Sequence, residues 1–219
     1  MEQTRDRSLP YDHEISALFF VLTVVLFVTF ALAILFLGEP FSLWQHPFSD
    51  LGNTVTRQGR PNMPSRLIFC VGMLVNGYIM LRISACYAQN EELCHRIIKC
   101  WLARLGAVGF LVSTYPNDVS NLIHSLGTGP AVGVIYLFVM LFHFELKPQT
   151  RLSFFYADLL ILQATVLPYA VAFFLNLPPK QSLQKFCILG LGFTLQRVVT
   201  AAEESFRPRE VLRASWESR

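Results

Sequence analysis

Charged side chains make up only 15% of these 219 residues, well below the about 25% usual in soluble domains. With 53% hydrophobic residues and a mean hydropathy of +0.43, the chain lacks the polar surface that keeps a globule in water. Its 18 basic and 15 acidic residues leave a net charge of +3 and are dealt out among polar links. That scatter excludes the concentrated basic patch of a nucleic-acid binder. The five cysteines, Cys70, Cys86, Cys94, Cys100 and Cys187, contain no CxxC pair. Odd in number, with three in or near apolar stretches, they are expected to be reduced and structural, without the spacing of a zinc site. Histidine is scarce as well. Only His124 and His143 fall in apolar stretches, both in the same one, so paired axial haem ligands on facing helices are excluded. No GxSxG turn occurs, no lysine sits in the middle of the last apolar stretch, and residue 2 is Glu rather than an acylated Gly. No cofactor is implied.

What is abundant is uninterrupted hydrocarbon. Six stretches, about 15–37, 66–85, 98–115, 119–144, 154–177 and 183–202, approach or exceed the about 20 residues that cross a bilayer. The expected fold class is all-α: a polytopic integral membrane six-helix bundle forming one domain over 15–202. A tail precedes it at 1–14 and another follows at 203–219. The first stretch is too long for a signal-peptide core and lacks a small-x-small cleavage site, which predicts a retained helix. An even number of spans puts both termini on one side. That side carries eleven bases, against five (Arg57, Arg60, Arg66, Lys180 and Lys185) on the other. The positive-inside bias therefore predicts cytoplasmic termini.

Polar residues near the spans fall into two groups. Towards the non-cytoplasmic face lie His46, Ser49, Asp50 and Asn53 in the long first loop, with Tyr115, Asn117, Asp118, Asn121 and His124 between the third and fourth spans. Asn117, Asn121, His124 and Thr128 recur at helical spacing, and such a stripe is expected to face the bundle interior or a wet cavity. Asn117 or Asp118 is also a natural cap for the fourth helix. If the first loop folds over the bundle mouth, Asp50 and His46 approach Asp118 and His124. Those two carboxylates and two imidazoles are then weak candidates for a metal or for acid–base chemistry. Towards the cytoplasmic face, Arg104, Asp158 and Arg197 are expected to form a buried structural ion pair. Gly127, Gly129 and Gly133 offer small surfaces for close helix approach, with Gly129-Pro130 as a break and Pro168 as a kink.

Pro47-Phe48-Ser49-Asp50-Leu51-Gly52, followed by Pro64-Ser65, Ile68-Phe69 and Gly72, resembles the start of a prokaryotic six-helix membrane family, domain of unknown function nine-nine-eight. Tyr115-Pro116-Asn117-Asp118 with His124 and Gly127 downstream resembles its second marked region. More distantly the chain is similar to the DRAM/Frag/Sfk membrane family, whose association with lipid handling implies a lipid-facing role. The resemblance places the chain in a prokaryotic inner membrane. The leading expectation is a protein that binds or senses a lipid headgroup or small polar ligand through Asp50, Asn117, Asp118, Asn121 and His124. The alternative is an intramembrane lipid-modifying enzyme with His124 as base and Asp118 or Asp50 as its orienter. A small transporter comes third, because no inverted repeat is visible. The expected partners are membrane lipids, with a homo-oligomer or a membrane-protein partner left open.

Overall fold

The computed structural model describes residues 13–146 and 152–206. The expected tails therefore lie outside it except for residues 13–14 and 203–206, as do several of the bases counted for orientation. Among the described residues, six α-helices follow one another: α1 (His13–Leu35), α2 (Met63–Gln89), α3 (Arg96–Val112), α4 (Asn121–Leu146), α5 (Leu152–Phe174) and α6 (Lys180–Phe206). Each begins and ends within a few residues of its expected stretch. The apolar composition explains the choice of structure. Away from water, a helix satisfies its own N–H and C=O groups, whereas an isolated strand leaves them bare.

Five helices (α1, α2, α4, α5 and α6) are long and apolar enough to cross a membrane. The third expected span is the short one: α3 has 17 residues, about 25 Å at 1.5 Å per residue. Local signals set the boundaries. Gly38, with φ of +75°, turns the chain after α1 in a conformation other residues avoid. Pro64 occupies the first turn of α2, where its missing N–H leaves no helical bond unmade. Pro130 and Pro168 lie inside α4 and α5, and Gly129-Pro130 does not break α4 as expected. Gln196 and Arg197 lie within an unbroken α6.

Helix α1 packs on α2, α2 on α3 and α3 on α4, and α6 touches both α4 and α1, closing a five-helix ring. Helix α5 packs chiefly on α6 and reaches α4 through the Tyr136–Gln163 hydrogen bond of 3.1 Å. Gln163 is thus satisfied inside an apolar helix. One end of the ring is filled by aromatics. Phe19 meets Phe138 edge-on at 5.1 Å, and Phe142 and Tyr87 lie against Phe138.

Glycine brings α3 and α4 into backbone contact. A Cβ on Gly127 would lie 2.3 Å from Ser113 N, and one on Gly109 would lie 2.9 Å from Gly127 O, so α3 and α4 touch through backbone. Gly129 and Gly133 differ from the expectation: nothing lies within 4 Å of a Cβ at either. They fall on other faces of α4 because the contact stripe follows the helical repeat rather than every second residue.

The long first loop is ordered. Its centre is a 3₁₀ turn, η1 (Phe48–Gly52), and a single bridge joins Val55 to Pro61. Buried Asn62 donates to the carbonyls of Leu51 and Asn53, and buried Ser65 donates to Leu51 O. Phe48 stacks on Phe30 of α1 with ring centroids 4.3 Å apart. Lys185 of α6 donates to the His46 carbonyl at 2.6 Å. Polar bonds at the rim and an aromatic wedge at the centre make the loop a cap seated on α1, α2 and α6.

Candidate functional site at the capped end of the bundle

Between the aromatic end and the loop cap lies a cavity of about 80 Å³, room for several waters or a short stretch of hydrocarbon. Its walls come mostly from α1, α4 and α6. Leu26, Phe30, Ile135 and Leu195 make it predominantly apolar, while Ser49, Thr128 and His124 bring polar atoms to it.

His124 is the decisive residue. It is 3% exposed, one turn into α4. Its Nδ1 lies 2.8 Å from the Tyr115 carbonyl. A carbonyl can only accept, so Nδ1 carries the proton, and in the neutral ring Nε2 is left as a bare acceptor. That Nε2 is buried with no hydrogen-bond partner among the described residues. An imidazole locked at one nitrogen and open at the other, on the wall of an apolar cavity, is set up to accept from a hydroxyl or N–H group.

The carboxylates do something else. Asp118 sits in the α3–α4 turn, largely exposed, and clasps the first loop. It accepts from the Thr54 hydroxyl at 2.5 Å, from Thr54 N at 2.9 Å and from Val55 N at 3.3 Å. Its own N–H donates to Asn53 Oδ1 at 3.2 Å. Partial burial pushes this carboxyl up, but the Thr54 hydroxyl and the two backbone N–H groups outweigh that and hold it below the ordinary carboxylate range. Asp50 pairs with Arg57 at 2.9 Å. Burial nevertheless raises its pKa, because the Arg57 charge only partly compensates the lost hydration.

The loop does fold over the mouth and meets the α3–α4 turn, but the expected four-residue metal set does not assemble. Asp50 is turned to Arg57, Asp118 to Thr54, and His46 lies on the α6 side with its ring edge-on to Phe41. The weak metal candidates His46, Asp50, Asp118 and His124 are therefore corrected: among the described residues they form no ligand cluster. Asn121 is corrected as well. It is exposed at the first turn of α4 and accepts from Ser125, so the inward stripe narrows to His124 and Thr128. Asn117 precedes α4, half-buried in the turn. Helix spacing could not reveal this, since the helix starts four residues after it.

At the opposite end the ionic expectation holds for one pair only. Arg197 Nε lies 2.8 Å from Asp158 Oδ1. Arg104 is not part of it; it donates to Ser84 at 3.2 Å and its guanidinium lies over Trp101. α3 faces α2 and α4 rather than α5, so Arg104 and Asp158 are on helices that do not meet.

Three contributors were not singled out from sequence: Thr54, the Tyr115 carbonyl and Phe48. The roles of Thr54 and Phe48 depend on the loop's path, and that of the Tyr115 carbonyl on the course of the α3–α4 turn; no local spacing encodes either. Comparisons with protein-family models, with curated proteins and with solved structures give no match to this chain.

Proposed function

We propose that this chain is a six-span integral membrane protein that binds an amphiphilic lipid at the capped end of its bundle. The apolar part of the ligand occupies the cavity among α1, α4 and α6, and a hydroxyl or N–H of its polar part donates to His124 Nε2. The observation that carries this reading is the buried, unpartnered Nε2 of His124, a residue that lines a predominantly apolar cavity. Left alone, such an acceptor costs about 1–3 kcal/mol, which a donor-bearing ligand recovers. The sixth span is α3: it packs between α2 and α4, so it lies at their depth despite its length. Cytoplasmic termini follow from the distribution of bases. The likeness to the prokaryotic six-helix family, and more distantly to the DRAM/Frag/Sfk family, supports an inner-membrane, lipid-facing role.

The hydrolase-like alternative loses its orienting acid. His124 is oriented by a backbone carbonyl, while Asp118 and Asp50 are engaged by Thr54 and Arg57. Native mass spectrometry of gently extracted protein tests the proposal. The wild type should retain a lipid adduct that His124→Phe, which fills the ring's space without an acceptor, releases. Identical adducts in both proteins would refute it.

A further inference from the structure

A second convergence of donors lies at the other end of the bundle, where the α2–α3 link meets the end of α4. Cys94 Sγ is 3.1 Å from His95 Nδ1, and the same Nδ1 is 2.9 Å from Glu145 Oε1. The three donor atoms all lie within 4.8 Å of one another. Cys94 and Glu145 are half-buried and His95 is exposed, which leaves one side of the cluster open.

The pattern of contacts distinguishes two chemistries. A thiol–imidazole–acid relay needs both ring nitrogens, one towards the sulfur and the other towards the acid. Here sulfur and carboxylate address one nitrogen, so no proton can be relayed between them through the ring. Three different donors gathered within 4.8 Å of one another instead match the inner ligands of a metal ion. A tetrahedral zinc with bonds of about 2.0–2.3 Å keeps its ligands about 3.3–3.6 Å apart. The observed 3.1 and 2.9 Å separations reach that spacing with shifts of roughly half an ångström.

Backbone and charge fit as well. His95 holds a left-handed conformation, φ 52° and ψ 28°, rare and strained for a residue with a Cβ. That bend brings the side chains of two adjacent residues to one point, where an extended backbone would send them to opposite sides. The second oxygen of Glu145 is already held: Lys99, 3% exposed, donates to Oε2 at 2.7 Å. This fixes the carboxylate with Oε1 presented to the cluster, as outer partners of metal ligands do.

We propose that Cys94, His95 and Glu145 form a binding site for a borderline divalent cation such as zinc, with a fourth position open to water. On binding, the Cys94 thiol loses its proton to solvent and a sulfur–metal bond forms. The proton on Nδ1 moves to Nε2, and Glu145 coordinates through Oε1 while Oε2 stays on Lys99. The site tethers the α2–α3 link to the end of α4. Sequence spacing hid it because Glu145 lies 50 residues beyond His95.

Cobalt(II) titration of the full chain in detergent tests this, since thiolate ligation gives a charge-transfer band in the near ultraviolet. The expected result is one cobalt per chain, with the band abolished in Cys94→Ser and retained in Cys70→Ser. His95→Gln and Glu145→Gln should bind at least about tenfold more weakly, a loss that even outer partners of metal ligands can produce. Alkylation of the unmutated protein avoids any folding defect: zinc should slow maleimide modification of Cys94 and leave Cys70 unaffected. A cobalt band that survives Cys94→Ser, or Cys94 labelling that zinc does not slow, would overturn the proposal.

Discussion

Gly127→Ala is the sharpest test of the packing that positions His124. The added methyl would lie 2.3 Å from Ser113 N, 2.6 Å from Val112 C and 2.9 Å from Gly109 O, where ordinary contact needs 3.4–4 Å. All three are backbone atoms, so no side chain can rotate away. The helices must separate by about 1 Å, and overpacking of this kind costs about 1–3 kcal/mol. Gly127 lies three residues from His124, and the separation also stretches the 2.8 Å bond from Nδ1 to Tyr115 O. The assay is thermal unfolding in a mild detergent, read by accessibility of buried Cys100. Gly129→Ala and Gly133→Ala are matched controls, because nothing lies within 4 Å of a Cβ at either. Both should equal or slightly exceed the wild type, since Ala is favoured over Gly in a helix by about 1 kcal/mol. A Gly127→Ala protein as stable as the controls would refute the close α3–α4 crossing.

The remaining expectations are independent of it. Asp118 has a depressed folded pKa, so its clasp on Thr54 contributes above the unfolded carboxylate value of about 3.9 and is lost as pH falls through the folded value. Measured against the intrinsic rate at each pH, the protection of the Thr54 and Val55 amides from hydrogen exchange should fall on acidification, and Asp118→Asn should show that reduced protection already at neutral pH. Arg197→Met leaves Asp158 without its cation and should destabilise the protein towards the low end of about 3–5 kcal/mol, Arg197 being 39% exposed. Arg104→Met should change much less in the same unfolding assay. An impermeant maleimide applied to intact cells should label Arg57→Cys, and should label Gln89→Cys only after the membrane is opened.

The bundle was legible because hydrocarbon leaves so few options. Six apolar stretches give six helices, and Pro64 and Gly38 mark ends that local chemistry dictates. The site was legible in part. His124 stands out as an ionisable group inside a span, and it is buried as that cost requires. Asn121 misled because helical spacing assigns a residue to a face but not to a depth, and at the first turn of α4 it is exposed rather than in the core. Asp50 and Asp118 misled for a related reason. Both are close to the mouth, but their partners Arg57 and Thr54 come from the loop, whose course depends on Phe48 finding Phe30. Arg104 was paired with the wrong helix because depth alone does not report which neighbours a helix has in the ring.

The central claim, a lipid seated inside the bundle against His124, is tested most directly by locating the ligand. A hydroxyl-bearing lipid with a photoreactive acyl chain, incorporated into vesicles with the purified protein, should crosslink to cavity residues such as Leu26, Thr128 and Ile135. Those adducts should disappear in Val132→Trp, which fills the cavity, and fall sharply in His124→Phe. Adducts confined to outward-facing residues such as Phe20 and Leu122, 58% and 71% exposed, and indifferent to both substitutions would contradict it.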